Sequence, residues 1–195
     1  MISAVVLAAG KDERVGKPKL FLPWRGKVVL QWALEVVLAS AVSEVICVVR
    51  DLAAVRAHIR VNDERLSWLV NDRADAGQSS SASAGLWAVD ERSDRALLVA
   101  GDRPMLDGAL LDALINRAQR ISAPIIAPSS KREIRNPVLI RRELFPELLK
   151  LKGDHDGRSL VKKFRDRVEW VEWHEEATFM DIDDQQDYAR LKLLA

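Results

Sequence analysis

A polar loop that follows the first apolar segment of the chain carries residue types suited to binding phosphate. Residues 2–9 are apolar, and Gly10 and Gly16 then allow a loop whose backbone N–H groups can converge on an anion. Arg14 offers a planar guanidinium that can hold two phosphate oxygens, and Lys19 offers a compact positive charge. The pattern predicts a phosphate-binding loop, and a solvated basic loop is the ordinary alternative.

The glycine spacing excludes two better-known nucleotide-binding loops. Five residues separate Gly10 from Gly16, and Pro18 stands where the pattern G-x-x-x-x-G-K-[ST] has Ser or Thr. Asp12 occupies the second glycine position of the dinucleotide pattern G-x-G-x-x-G. The absence of that second pattern counts against a nicotinamide-linked reductase.

Two groups of aspartates stand where they could hold a metal ion beside bound phosphates. Asp102 follows the apolar residues 96–100, and a carboxylate at the carboxyl end of a parallel strand faces the ligand crevice, where it could bind Mg²⁺. Residues 178–182 are predicted as a strand, which would put Asp181 and Asp183 on one face, beside Asp102. The ordinary alternatives are a turn aspartate at 102 and a helix-capping run at 181–184.

Predicted strands and helices alternate over the first 120 residues, which indicates a right-handed, mostly parallel α/β sheet. Both candidate loops follow strands, where ligands bind in such sheets. No linker or internal repeat is visible, so we expect one domain over residues 1–195. The predicted strands are residues 2–9, 44–49, 66–70, 96–100, 124–128, 137–140, 168–173 and 178–182; the predicted helices are residues 28–41, 52–59, 79–89, 108–120, 144–150, 159–164 and 183–194.

Composition excludes several classes of protein. The chain has 195 residues and a net charge of +1, so it lacks the basic excess of a general nucleic-acid surface. Its one cysteine, Cys47, lies in an apolar run and is predicted to fill the core, and with no secretory signal visible we expect the cytoplasm. The three histidines lack the spacing of a zinc site, and residues 2–9 are too short to cross a membrane.

The whole chain resembles the MobA-like nucleotidyltransferases and, among them, the molybdenum cofactor cytidylyltransferases. The opening resembles the family pattern L-A-A-G-x-x-x-R-x-G-x-P-K, and five further matches follow in the family's order. They are Gly77-Gln78-Ser79-Ser80-Ser81 for G-M-S-S-S, Gly101-Asp102-Arg103-Pro104 for G-D-Q-P, Pro137-Val138-Leu139 within G-H-P-V-L, Gly153 to Arg158 for G-D-x-G-A-R with one insertion, and Asp181-Ile182-Asp183 with Asp187-Tyr188 for D-I-D-T-P-E-D-Y.

The resemblance implies a single Rossmann-like three-layer α/β domain of the nucleotide-diphospho-sugar transferase type. It implies a Mg²⁺-dependent attack on the α-phosphate of a nucleoside triphosphate, with release of pyrophosphate. Arg14, Lys19 and Asp102 are the implied catalytic residues, and Asp102 with Asp183, or with the less favoured Asp181, is implied to hold the metal. The implied nucleotide-binding residues are Leu7, Ala8, Ala9, Gly10, Arg14, Lys19, Ser79 and Ser80.

The resemblance also implies the substrates. Ala9 goes with cytidine enzymes of this family, so CTP is the expected donor and the terminal phosphate of molybdopterin the expected acceptor; a molybdoenzyme or its chaperone is a further partner. Asp12 and Glu13 depart from the pattern by adding negative charge to the phosphate loop, and Arg135-Asn136 replaces Gly-His. A GTP-dependent enzyme, another acceptor and a non-catalytic nucleotide- or cofactor-binding homologue therefore stay open.

Overall fold

Strands and helices alternate along most of the chain, as the apolar pattern predicts. A computed structural model describes residues 1–10, 18–131, 133–155 and 157–194. Its strands are β1 (Ile2–Ala8), β2 (Pro23–Trp24), β3 (Lys27–Val28), β4 (Glu44–Val49), β5 (Leu66–Val70), β6 (Arg95–Ala100), β7 (Ile125–Ser130), β8 (Glu133–Ile134), β9 (Val138–Arg141) and β10 (Val168–Glu172). Its helices are α1 (Val29–Ala39), α2 (Leu52–His58), α3 (Gln78–Ala88), α4 (Gly108–Arg120), α5 (Phe145–Leu149), α6 (Gly157–Lys163) and α7 (Gln185–Leu193).

One mixed sheet organises the chain. Its strands lie in the order β5-β4-β1-β6-β9-β7-β10, and β8 pairs with the last two residues of β7. Along that order only β9 runs against its neighbours, so β1, β4, β5, β6, β7 and β10 share one direction. The prediction of a mostly parallel sheet is confirmed, and so is the prediction that residues 168–173 form an edge strand.

Helices cover both faces of the sheet, which gives the three predicted layers. Successive side chains of a strand point to opposite faces, so Ala4 and Val6 join one apolar cluster and Val5 joins the other. The first cluster is closed by α1, α2 and α4, and the second by α3, α5 and α6. Burial on both faces explains why β1 has no polar alternation. Cys47 is fully buried in the first cluster as predicted, and burial raises the pKa of its thiol.

The prediction of a strand at residues 178–182 is wrong. A single 3₁₀ turn occupies Glu176–Phe179, and residues 180–183 pair with no strand in the described part of the chain. The backbone here is fixed by side chains instead, because Arg103 donates a hydrogen bond to the carbonyl of Phe179. Asp181 and Asp183 therefore do not share the face of a strand. The closing helix begins after Asp184, whose carboxylate caps it.

No helix among the described residues is long and apolar enough to span a membrane.

The loop that the sequence predicts between β7 and β9 contains a further short strand, β8, which pairs with the end of β7. Two residues are too few to show the alternation by which a strand is recognised in a sequence.

A carboxylate ties together two short helices on the second face of the sheet. Glu147 of α5 accepts hydrogen bonds from Lys150 and from Lys163 of α6, the latter at 2.6 Å between Oε2 and Nζ. These two lysines lower the pKa of Glu147 to about 2. The ion pair between Glu147 and Lys163 joins the two helices on either side of residues 150–156. That connection matters because Asp154 within it contributes to the candidate site.

Replacing Glu147 by Gln should lower stability in a pH-dependent way. A lowered pKa means that the fold favours the ionised carboxylate, so its contribution is complete above the ordinary value near 4.5. That contribution is lost as the pH falls toward 2, so the melting temperatures of wild type and variant should converge there. Thermal unfolding followed between pH 7 and pH 2.5 measures this. Glu91→Gln is the control, since Glu91 makes no ion pair within the described residues; an equal, pH-independent loss in both variants would contradict the account.

Candidate active site

A cleft of about 420 Å³ opens at the edge of the sheet where β1 and β6 end. Carboxyl ends of parallel strands meet at one edge, which brings residues distant in sequence to the same place. The end of β1 supplies Leu7, Ala8, Ala9 and Gly10, and the segment after β6 supplies Asp102. The remaining walls come from Lys19, Leu20, Ala74, Asp75, Gly77, Gln78, Ser81, Ala100 and Asp154.

A lysine bridges two carboxylates at the rim of this cleft. Lys19 begins a 3₁₀ turn, and its Nζ lies 2.7 Å from Oδ2 of Asp102 and 3.3 Å from Oδ1 of Asp183. The side chains of Lys19 and Asp102 are only 12% and 18% exposed, so water screens their charges weakly. Three segments of the chain thus converge on one ion triad.

The two carboxylates of the triad fit a divalent cation such as Mg²⁺. Mg²⁺ prefers hard oxygen ligands and is commonly held by one or two carboxylates while phosphates and water complete its shell. Within residues 1–10, 18–131, 133–155 and 157–194, no group of three or more His, Cys, Asp or Glu side chains could hold a metal ion. Asp102 and Asp183 could hold such a cation together with phosphate oxygens and water.

Asp181 pairs with a different cation. Its Oδ2 lies 3.3 Å from Nη2 of Arg103, a side chain that is almost fully buried. Burial raises the pKa of Asp181 above its ordinary value; Arg103 opposes the rise, and the Asp102 and Asp183 carboxylates add to it. Asp183 is thus the aspartate that meets Lys19, and Asp181 is the one that meets Arg103.

Two glycines let the opposite wall of the cleft close tightly. Gly77 has φ +97°, and a Cβ there would lie 2.4 Å from the backbone carbon of Gly153. The Ser79 N–H donates to the Gly153 carbonyl at 3.0 Å, and the Gln78 N–H donates to Oδ1 of Asp154 at 3.4 Å. A side chain at 77 would be strained and would push this wall away.

The serines that begin α3 have different environments. Ser80 accepts a hydrogen bond from the Asn71 amide, and its hydroxyl lies 2.8 Å from the Gly77 carbonyl, so it braces the turn. Ser79 is buried, and neither Ser79 nor Ser80 lines the cleft. Ser81 does line it.

The structure brings most of the predicted site residues together. Leu7, Ala8, Ala9, Gly10, Lys19 and Asp102 line the cleft, and Asp183 joins them through Lys19. Arg14, Asp12 and Glu13 lie outside the described residues. The lining residues Asp75, Gln78, Ser81 and Asp154 have no role assigned by the sequence reasoning. Gln78, Ser81 and Asp154 lie within motifs that match the family, so the sequence does contain a signal for their place in the site. Asp75 lies in no matched motif.

Comparison with known proteins adds a family to this geometry. The model of the MobA-like NTP transferase domain matches residues 4–169. The chain is 29% identical over 175 residues to a probable molybdenum cofactor guanylyltransferase of Methanosarcina mazei, which covers 85% of this chain and 76% of the relative. It is 30% identical over 198 residues to nicotine blue oxidoreductase of Paenarthrobacter nicotinovorans, which covers 97% of this chain and 96% of the relative.

A solved structure shows the same architecture. Rv0371c from Mycobacterium tuberculosis H37Rv, in complex with manganese, superposes with a TM-score of 0.83 at 27% identity and covers 100% of this chain and 99% of its own. The predicted fold class and the resemblance drawn from the ordered motifs are both confirmed. The chain belongs to the family of MobA-like NTP transferase domains.

Proposed function

We propose that this chain transfers a nucleotidyl group from CTP to the terminal phosphate of molybdopterin and releases pyrophosphate. The broad activity, nucleotidyl transfer of the MobA-like type, follows from the family. The family resemblance supports CTP and molybdopterin as the substrates. The observation that carries the proposed chemistry is the pair Asp102 and Asp183, set around Lys19 beside the backbone of residues 7–10. That arrangement offers a triphosphate both a cation and two metal-binding carboxylates.

The reaction requires the protein to position the two substrates and to neutralise the charge of their phosphates. An oxygen of the acceptor phosphate attacks the α-phosphorus, a new P–O bond forms, and the bond to the leaving pyrophosphate breaks. Because the acceptor phosphate is already an anion, no strong general base is needed to remove a proton. Mg²⁺ held by Asp102 and Asp183 would supply charge neutralisation for the phosphates. Lys19, and Arg14 by the family pattern, would orient the triphosphate and balance the charge of the pyrophosphate.

In this scheme Lys19 can pair either with the carboxylates of Asp102 and Asp183 or with the triphosphate. Its ammonium lies between the two proposed metal ligands, where a Mg²⁺ at its usual ligand distance of about 2.0–2.1 Å would repel it. With metal and nucleotide bound together, the ammonium would pair with the phosphates instead. Lys19 would thus neutralise the carboxylates before binding and the triphosphate after it, which would couple metal binding to nucleotide binding.

The base is read at the end of β1. Ala9 is buried, and Ala8, Ala9 and Gly10 all line the cleft, so the end of β1 is placed to contact a bound base. In the family pattern an alanine here accompanies cytidine, which supports CTP; the relative from Methanosarcina mazei is named for guanylyl transfer, which keeps GTP as the alternative donor. One methyl group against a base edge discriminates by about 1–3 kcal/mol.

A reductase is the second candidate, because the relative with 97% coverage of this chain is named an oxidoreductase. The dinucleotide pattern G-x-G-x-x-G is absent at the first loop, which weighs against this candidate. A binding protein without turnover is the third candidate, because Asp12 and Glu13 add negative charge to the phosphate loop.

The direct test is pyrophosphate release from CTP or GTP with molybdopterin and Mg²⁺. We expect release with a higher kcat/KM for CTP, and Asp102→Asn should lower kcat by a factor of about 10² or more while circular dichroism stays unchanged. Asp112→Asn, on the exposed side of α4, is the matched control and should keep full activity. Full activity of Asp102→Asn would contradict the metal site. Nucleotide binding without release would favour the binding protein, and oxidation of a nicotinamide cofactor would favour the reductase.

Lys19→Ala should change metal and nucleotide binding in opposite directions. Loss of a charge-assisted phosphate contact should weaken CTP binding by about 1.5–3 kcal/mol. Loss of the ammonium between the carboxylates should strengthen binding of Mn²⁺ alone. Calorimetric titration with each ligand separately measures both effects. Lys152→Ala, an exposed lysine near the opposite wall, should alter neither affinity; equal CTP affinity in Lys19→Ala and wild type would contradict the role of Lys19.

A further inference from the structure

A buried arginine stands directly after the proposed metal ligand Asp102. Arg103 is 4% exposed, and its Nη1 donates to the Phe179 carbonyl at 2.6 Å. Its Nη2 donates to Oδ2 of Asp181 at 3.3 Å. The guanidinium therefore spans from the turn after β6 to the segment that precedes α7.

That segment relies on side chains for its position. Residues 180–183 pair with no strand among the described residues, so no ladder of backbone hydrogen bonds fixes them. At the far end, the Asp187 carboxylate accepts from the Asp183 N–H at 3.1 Å, and Ile182 is buried against α7. At the near end the anchor is Arg103.

The geometry links the two proposed metal ligands through this anchor. Asp102 and Arg103 are consecutive, so one turn presents a carboxylate to Lys19 and holds the segment that carries the second carboxylate. Asp181 and Asp183 are two residues apart, and like charges near Asp102 would drive the segment outward without a compensating cation. The Arg103 guanidinium supplies such a cation at Asp181. The matched family pattern has a glutamine at this position.

We propose that Arg103 is a positioning residue for the metal site: it sets Asp183 against Asp102 by holding Phe179 and Asp181. The proposal rests on the proposed function, since it takes Asp102 and Asp183 as the metal ligands. Arg103 itself touches neither metal nor substrate. Groups that orient metal ligands typically change metal affinity by about 10–100-fold when they are removed.

A second buried arginine, at the start of β6, provides a matched control. Arg95 is 3% exposed at the opposite end of β6, and its guanidinium donates to the carbonyls of Ala123 and Ile121 at 2.8 and 3.1 Å. It is about as buried as Arg103, and its guanidinium also donates to two acceptors, but it lies at the end of β6 that is remote from the cleft. Arg95→Met should therefore cost stability without affecting the site.

The experiment compares Arg103→Met, Arg103→Lys, Arg95→Met and Asp183→Asn with the wild-type chain. Mn²⁺ binding in the presence of CTP is followed by electron paramagnetic resonance, and melting temperatures are recorded in parallel. We expect Arg103→Met to weaken Mn²⁺ binding by about 10-fold or more. Arg103→Lys, which keeps the charge but loses the fork, should fall between that variant and wild type. Arg95→Met should have a lower melting temperature than wild type and should bind Mn²⁺ with wild-type affinity.

The possible results distinguish a failure of the positioning role of Arg103 from a failure of the proposed function. Wild-type Mn²⁺ affinity in Arg103→Met, together with weakened binding in Asp183→Asn, would overturn the positioning role and leave the metal site standing. Unchanged binding in Asp183→Asn would overturn the metal site and the positioning role with it. An equal loss in Arg95→Met and Arg103→Met would show general destabilisation and also overturn the inference. If Arg103→Met does not fold, Arg103→Lys decides, and wild-type affinity in that variant overturns the role.

Discussion

The ammonium of Lys19, placed between the carboxylates of Asp102 and Asp183, is the interaction on which the candidate site depends. Two carboxylates at the rim of the cleft repel each other, and a cation between them removes that cost. Under the proposed function a metal ion would meet the same requirement when a triphosphate binds, and the ammonium would then pair with phosphate. Positive charge would thus lie between Asp102 and Asp183 in either state.

The sheet makes this convergence possible. Because β1 and β6 are adjacent and parallel, the segments after them leave the same edge, and the Gly101 N–H donates to the Leu7 carbonyl at 2.9 Å. A Cβ at Gly101 would lie 2.9 Å from Leu30 and 3.1 Å from that carbonyl, so glycine lets the turn carrying Asp102 stay close to β1. The third member, Asp183, comes from beyond the sheet, and side-chain contacts of Arg103 and Asp187 replace the missing strand pairing.

The sheet and half of the site could be predicted from sequence because they depend on local signals. Continuous apolar runs predict the buried strands, and Asp102 at the end of one of them is predicted to face the crevice, where it lies. The prediction of a strand at residues 178–182 failed because a short segment with three apolar residues, Phe179, Met180 and Ile182, resembles a strand in sequence. In the structure a 3₁₀ turn buries Phe179, and Arg103 donates a hydrogen bond to the Phe179 carbonyl. Neither the separation of Asp181 from Asp183 nor the entry of Asp75 into the cleft has a local signal, since both depend on contacts between distant segments.

A crystal structure of the chain with CTP and Mn²⁺, read from the anomalous signal of manganese, tests the central claim most directly. We expect one manganese peak bound by the carboxylates of both Asp102 and Asp183 and by phosphate oxygens, with the Lys19 ammonium moved onto the triphosphate. A manganese peak away from these two aspartates, or a triphosphate bound while Lys19 still bridges them, would contradict it.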